Sequence, residues 1–248
     1  MISSISIINF KCFEKISLRT PAFSLLTGFN AAGKSTILQS ILLLAQTLRA
    51  NSSVPEVALN GSLIQLGKPG DVSNKGQGDP EFKIMDGSAG IGWSLVADDR
   101  SEGRTLKIKE VDFIDGSKCK KFKRFKKLDS LCPIGKPPKK IGSIIDNLRQ
   151  VIFLSAVRTG AAEVYPIPEE VSPVHADVGV FGEFAPWLFH QHMDDDVDNN
   201  RQNLNDSSPI LRRQLNAWAS ELFPDSEANV LSIFNTNLIR LELRVGNT

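Results

Sequence analysis

The chain has 248 residues, 41% hydrophobic and 23% charged, the balance of a soluble globular protein with one large core or two smaller ones. Its 29 Lys and Arg against 28 Asp and Glu leave a net charge of +1, which excludes polyanion binding driven by overall charge and leaves local clustering as the route. Three cysteines (Cys12, Cys119, Cys132) at spacings unlike a metal site exclude a disulfide framework; with no signal-peptide pattern and no membrane-length apolar run, a cytoplasmic chain outside the membrane is expected.

In chain order, "SISIINF" (Ser4 to Phe10) and Ile16 to Arg19 predict short strands, and "AFSLLT" (Ala22 to Thr27) predicts a buried strand entering a glycine turn. Lys34 to Leu48 predicts a helix whose apolar residues cover more than one face, so it should be buried among its neighbours. A strand-rich middle follows: "VALNGSLIQLG", "EFKIMDG", "GIGWSLVADD", "RTLKIKEVDF" and "KCKKFKRFKKL", each bounded by Gly, Pro, Asn or Asp. "GKPGDVSNKGQGDP" and "CPIGKPPKK" predict exposed loops. Ile141 to Arg149 returns to helix, and "QVIFLSAV" predicts another buried strand. Ser208 and Pro209 suit an N-cap and first helical residue; the helix after them should bury Leu211, Leu215, Trp218 and Leu222 before Pro224 stops it. "ANVLSIF" and "LIRLELRV" close the chain as strands.

The glycine turn carries the chemistry. Gly28, Phe29, Asn30, Ala31, Ala32, Gly33, Lys34 and Ser35 match G-x-x-x-x-G-K-[ST] without a gap, between a predicted strand and a predicted helix. The glycines let successive N–H groups point inward at an anion, and the helix N-terminus adds its positive dipole end. In such a loop Lys34 reaches the β/γ-phosphates and the Ser35 hydroxyl ligates Mg²⁺. ATP with Mg²⁺ is the expected ligand.

Four stretches resemble the ABC-type ATPases of the SMC/RecF/OLD group, most closely the AAA-labelled, OLD-like ATPases of bacterial genomes. They are "ISIINFKCFEKISL", "LLTGFNAAGKSTILQSILLL" with Asn30 at the family's asparagine, "LNGSLIQLGKPGDV", and "FLSAVRTGAAEVYP" with "VGVFGEFAPWLF". The first two are specific to the superfamily and the last two suggestive. The resemblance implies an α/β P-loop NTPase fold, like an ABC/SMC head, with a strand-rich N-terminal lobe. Residues 1–66 would be the P-loop lobe, 67–140 a strand-rich insertion and 141–248 a mixed region. It further implies Lys11 near the phosphates, Thr36 on an α-phosphate through its hydroxyl or backbone N–H, and Gln65 as a Q-loop ligand of Mg²⁺, although an exposed strand glutamine is the plainer reading. Arg158 would be structural or face a partner.

Such heads also need an apolar strand ending in paired carboxylates and a signature loop from a second subunit. "KEVDFIDG" and "SIIDNL" lack the first pattern, and "VSNKGQ" (Val72 to Gln77) reads as loop rather than signature. The resemblance therefore implies the N-terminal half of a head, incomplete at its C-terminus and barely able to hydrolyse ATP alone. It would work in a homo-oligomer or with an effector subunit on DNA, in antiphage defence or DNA repair. A non-hydrolysing assembly scaffold and a small-molecule P-loop kinase are the alternatives; the strand-rich middle disfavours the kinase.

Lys118, Lys120, Lys121, Lys123, Arg124, Lys126 and Lys127 surround Phe122 and Phe125, with Lys136, Lys139 and Lys140 following. Charge for phosphates and rings for stacking suit nucleic acid; a lysine-protected edge strand is the competing reading. His190, His192 and Asp194 to Asp196 suggest a metal cluster by composition, but His-x-His on a helix points its rings apart, so an acidic loop is expected.

Overall fold

Alternation of Ser with Ile in Ser4–Phe10 places Ile5 and Ile7 on a buried face, and this segment forms β1. A turn at Lys11 and Cys12 returns the chain as β2 (Phe13–Arg19), antiparallel to β1. The computed structural model describes residues 2–50, 52–74, 78–97, 103–133, 135, 137–157, 162–169, 172 and 174–246. It divides into two units, Met1–Val151 and Ile152–Thr248.

In the first unit, α1 (Lys34–Arg49) leads to β3 (Glu56–Ala58) and a short α2 (Pro69–Val72) within the expected loop. The meander β4 (Glu81–Asp86), β5 (Ala89–Ala97), β6 (Thr105–Asp115) and β7 (Lys118–Lys123) follows. These strands join β1 and β2 in one seven-stranded antiparallel sheet ordered β2-β1-β4-β5-β6-β3, with β7 also paired to β6. Because β1 pairs β4, the sheet crosses the boundary expected near residue 66. The small pair β8 (Leu128–Asp129) and β9 (Cys132–Pro133) precedes α3 (Lys139–Arg149), which also belongs to the first unit.

The helices α1 and α3 pack on each other, and α3 lies on β4 and β5. Leu42 to Leu48 of α1 are all buried, as its many-sided apolar pattern requires. Phe10 meets Phe82 edge-on with centroids 5.1 Å apart, and the buried Trp93 donates its indole N–H to Leu131 O at 3.0 Å.

The second unit holds β10 (Val164–Pro166), α4 (Ala185–His192), a 3-10 turn at Asn199–Arg201, α5 (Leu211–Leu222), β11 (Ser226–Ser232) and β12 (Leu238–Val245). Its sheet is β10-β12-β11, all antiparallel. No helix among the described residues is long and apolar enough to cross a membrane.

Three expectations fail here for one reason: periodicity records an apolar face but not whether anything covers it. Residues 22–27 form no strand and are exposed. Residues 150–157 form no strand, and Ile152, Leu154 and Val157 are exposed. In α5, Leu215, Trp218 and Leu222 are exposed and Leu211 only half-buried, while the buried residue is the polar Gln214. The Ser208 cap is displaced as well. The helix begins at Leu211, whose N–H reaches Asp195 O at 2.9 Å, and Arg212 N–H reaches Met193 O at 3.0 Å. Backbone carbonyls thus take the first-turn donors that a serine side chain would have capped.

Candidate nucleotide site

The turn between β1 and β2 is the floor of the glycine loop. Asn9 and Lys11 take left-handed conformations (φ 52 for each), which tighten the turn and bring Cys12 and Phe13 beneath the start of α1. Gly33, φ +90, is buried against them: a Cβ there would lie 2.4 Å from Phe13 Cζ and 2.7 Å from Cys12 Sγ. Gly28 also needs its glycine freedom at φ +145, and Ala31 adopts φ 65 without it.

Above this floor Lys34 folds over the loop, donating to Gly28 O and Phe29 O at 2.7 Å each. Among the described residues no carboxylate pairs with it. Ser35 is exposed at the first turn of α1, and the first helical bond in this turn is Ile37 N–H to Gly33 O at 3.1 Å. The N–H groups of Lys34, Ser35 and Thr36 therefore precede the hydrogen-bonded ladder, as donors at a positive dipole end. An ammonium bound only to loop carbonyls, an exposed hydroxyl and three amides ahead of the helical ladder are a donor set that fits a polyphosphate with its Mg²⁺. Lys34 and the amides would hold phosphate oxygens, and Ser35 would ligate the ion.

Phe29, Asn30, Ala31 and Ala32 form the exposed wall of the loop, closed by an Ala32 N–H to Phe29 O bond at 3.3 Å. Thr36 is buried, and its hydroxyl accepts from the Cys12 thiol at 3.6 Å; its backbone N–H, ahead of the helical ladder, remains for a phosphate. Lys11 donates to Gln39 Oε1 at 3.0 Å, one helical turn beyond Ser35. Its backbone is clamped by Val72 O (2.7 Å) and by the Asn74 amide on Lys11 O (2.8 Å). Cys12, Phe13, Gln39 and Asn74 thus shape the site without having been singled out in the sequence. Gln39 was findable, four residues after Ser35 on the same helix face; the others come together through pairing across the chain.

Gln65 lies elsewhere. Its amide bonds Gly61 O at 2.9 Å within the hairpin after β3, and that hairpin is pinned by Gln46, which bonds Ala58 O (2.8 Å) and Ile64 N–H (3.2 Å). Gln46 is about 18 Å along α1 from Lys34. Arg158, Lys136 and the 75–77 part of "VSNKGQ" lie outside the described residues.

The basic segment is sorted by the pleat of β7. Lys121 and Lys123 both bind Glu110, and Lys121 also approaches Asp112 at 3.4 Å. The Lys121 and Lys123 ammonium groups hold the Glu110 carboxyl down at about 2, while burial pushes Asp112 up. Phe122 packs edge-on to Phe113 at 4.9 Å, and Phe125 rests on the core. The seven charges are therefore not one free patch. Arg124, Lys126 and Lys127 follow β7 as exposed residues. The histidines go to separate partners, His192 to Asp195 at 2.7 Å and His190 to Ser232 at 3.3 Å, and no metal-holding group of three His, Cys, Asp or Glu occurs among the described residues.

A family model described as an AAA ATPase domain matches residues 1–132, from β1 through the glycine loop and the whole seven-stranded sheet. No curated protein and no solved structure matches the chain.

Proposed function

The chain belongs to the AAA ATPase domain family, whose model covers more than half of it, and on that premise we propose that it is the ATP-loading part of a two-component ATPase head of the SMC/RecF/OLD kind. The loop at Gly28 to Thr36 holds Mg-ATP. A second polypeptide, or another copy, completes the hydrolytic site, and DNA is the polymer on which the assembly acts, in defence or repair.

The observation that carries this reading is the state of the segment entering the loop. Phe23 and Leu25 are 82% and 75% exposed, and Phe29 is 91% exposed. Burying each such side chain stabilises by about 1.5–3 kcal/mol, and the backbone of residues 22–27, which forms no strand here, leaves its N–H and C=O groups for a partner. Covering this segment with a partner's strand would satisfy both and seat the loop against the groups that orient water.

The purified chain is expected to bind ATP and to release phosphate near background, because water-orienting and charge-stabilising groups commonly supply factors of about 10³ or more. Lys34→Ala should greatly weaken binding without unfolding the chain. Robust turnover by the chain alone, lost in Lys34→Ala, would overturn the two-component reading. Unchanged ATP affinity in a folded Lys34→Ala protein would overturn the site itself. The second reading is a nucleotide-loaded scaffold without turnover, in which the exposed Phe23, Leu25 and Phe29 seat a second copy. It predicts ATP-dependent assembly with no phosphate release at any partner or DNA concentration.

A further inference from the structure

A cavity of about 650 Å³ opens where the β6–β7 hairpin meets the start of α3. That volume is within the usual range for small-ligand sites, about 300–1,000 Å³. Its lining includes Phe113, Phe122, Lys118, Lys120, Lys139 and Lys140. Register explains the concentration of charge. Phe122, Lys120 and Lys118 stand across from Val111, Phe113 and Asp115, on the opposite pleat from Lys121 and Lys123, which stand across from Asp112 and Glu110. The pleat of Lys121 and Lys123 neutralises its lysines; the pleat of Lys118 and Lys120 does not. Lys118, Lys139 and Lys140 have no acidic partner among the described residues, and Lys120 lies over the Phe122 ring with its ammonium 5.0 Å from the centroid. Asp115 is the single acid among the described lining residues, and it makes no ion pair among them.

The end of α3 adds a second, independent anion preference. Pro138 at the N-cap has no capping side chain, the first turn has no acid, and the first turn carries two lysines at the positive end of the helix dipole. Two ammonium groups there repel the dipole, and an anion relieves that repulsion.

We propose that this cavity is a subsite for a phosphate-bearing nucleobase, with the phosphate held by Lys118, Lys120, Lys139 and Lys140 and the base against the Phe122 and Phe113 rings. Rings beside lysines distinguish this from a plain phosphate site, since stacking on an aromatic ring is worth about 1–3 kcal/mol per base. A single-stranded nucleic acid and a free nucleotide offer the same chemistry. The subsite deepens the DNA part of the function proposed above and is separate from the glycine loop.

The test uses full-length protein carrying Lys34→Ala, so that failure at the glycine loop and failure here are distinguishable. Binding of a fluorescent, 5′-phosphorylated single-stranded hexanucleotide is followed by anisotropy, with adenosine monophosphate and adenosine as competitors. Lys118→Gln/Lys120→Gln should weaken hexanucleotide binding at least tenfold and lower the salt slope by about 1.4, for two lost contacts on a single strand. Lys121→Gln/Lys123→Gln removes the same charge from the other pleat and should change affinity less than twofold. Competition by adenosine monophosphate at similar concentration would support the subsite and assign it to free nucleotides; its failure to compete would support a strand. Equal losses in the two double mutants, equal competition by adenosine, or no hexanucleotide and no monophosphate binding would each overturn the proposal.

Discussion

Replacing Gly33 with alanine probes the floor of the glycine loop. At φ +90 an L-residue is strained by about 1–2 kcal/mol. The added methyl would also sit 2.4 Å from Phe13 Cζ, 2.7 Å from Cys12 Sγ and 3.0 Å from Phe13 Cε1, an overlap that costs about 1–3 kcal/mol to relieve. Together these amount to about 2–5 kcal/mol, or a fall in the first unit's melting temperature of roughly 4–20 °C at about 2–4 °C per kcal/mol. The two causes separate in the double mutant Gly33→Ala/Phe13→Ala. Removing the half-buried ring clears the two ring contacts but leaves the torsion strained and Cys12 Sγ to shift aside. Urea denaturation of the parent, both single mutants and the double mutant should give a favourable coupling of about 1–3 kcal/mol, and ATP affinity should recover partly in the double mutant. A Gly33→Ala protein with the parent's midpoint and ATP affinity, or a coupling near zero, would refute the packing argument.

Glu110, lowered from an ordinary 4.5 to about 2 by hydrogen bonds from Lys121 and Lys123, should support the β6–β7 hairpin through its charge. A depressed carboxyl contributes stability that is present above pH 4.5 and is lost as pH falls toward about 2. Denaturation of parent and Glu110→Gln should therefore show a gap constant from pH 5 to 7 that closes between about pH 4.5 and 2; a gap persisting to pH 2 would contradict it. Thiol titration gives the third prediction. Cys12 and Cys119 are exposed, whereas burial pushes the Cys132 thiol up to about 12. Two thiols should react rapidly with an aromatic disulfide in native protein and the third only after denaturation, and fast reaction of Cys132 would contradict its burial.

The glycine loop was legible in the sequence because its chemistry is local: eight consecutive residues set the amide ring, the lysine and the hydroxyl, and the helix that follows carries its own apolar pattern. The strands β1, β2 and β4 to β7 were legible for a similar reason, since alternation and turn residues lie within each segment. Coverage was not. Residues 22–27 read as a buried strand yet are exposed, and α5 buries Gln214 while Leu222 is 77% exposed, because an apolar face is a property of a segment but burial depends on a second segment arriving. Tertiary structure alone also decided which charges are free. Seven basic residues look equivalent in a row, but strand pairing with β6 sets Lys121 and Lys123 against Glu110 and turns Lys118 and Lys120 toward α3. The same holds for the floor of the site, where Cys12, Phe13 and Asn74 meet Gly33, Thr36 and Lys11 across separations in the chain that no local pattern encodes. Local order is written in neighbouring residues, whereas pairing register and burial are settled by the free energy of the whole packed unit.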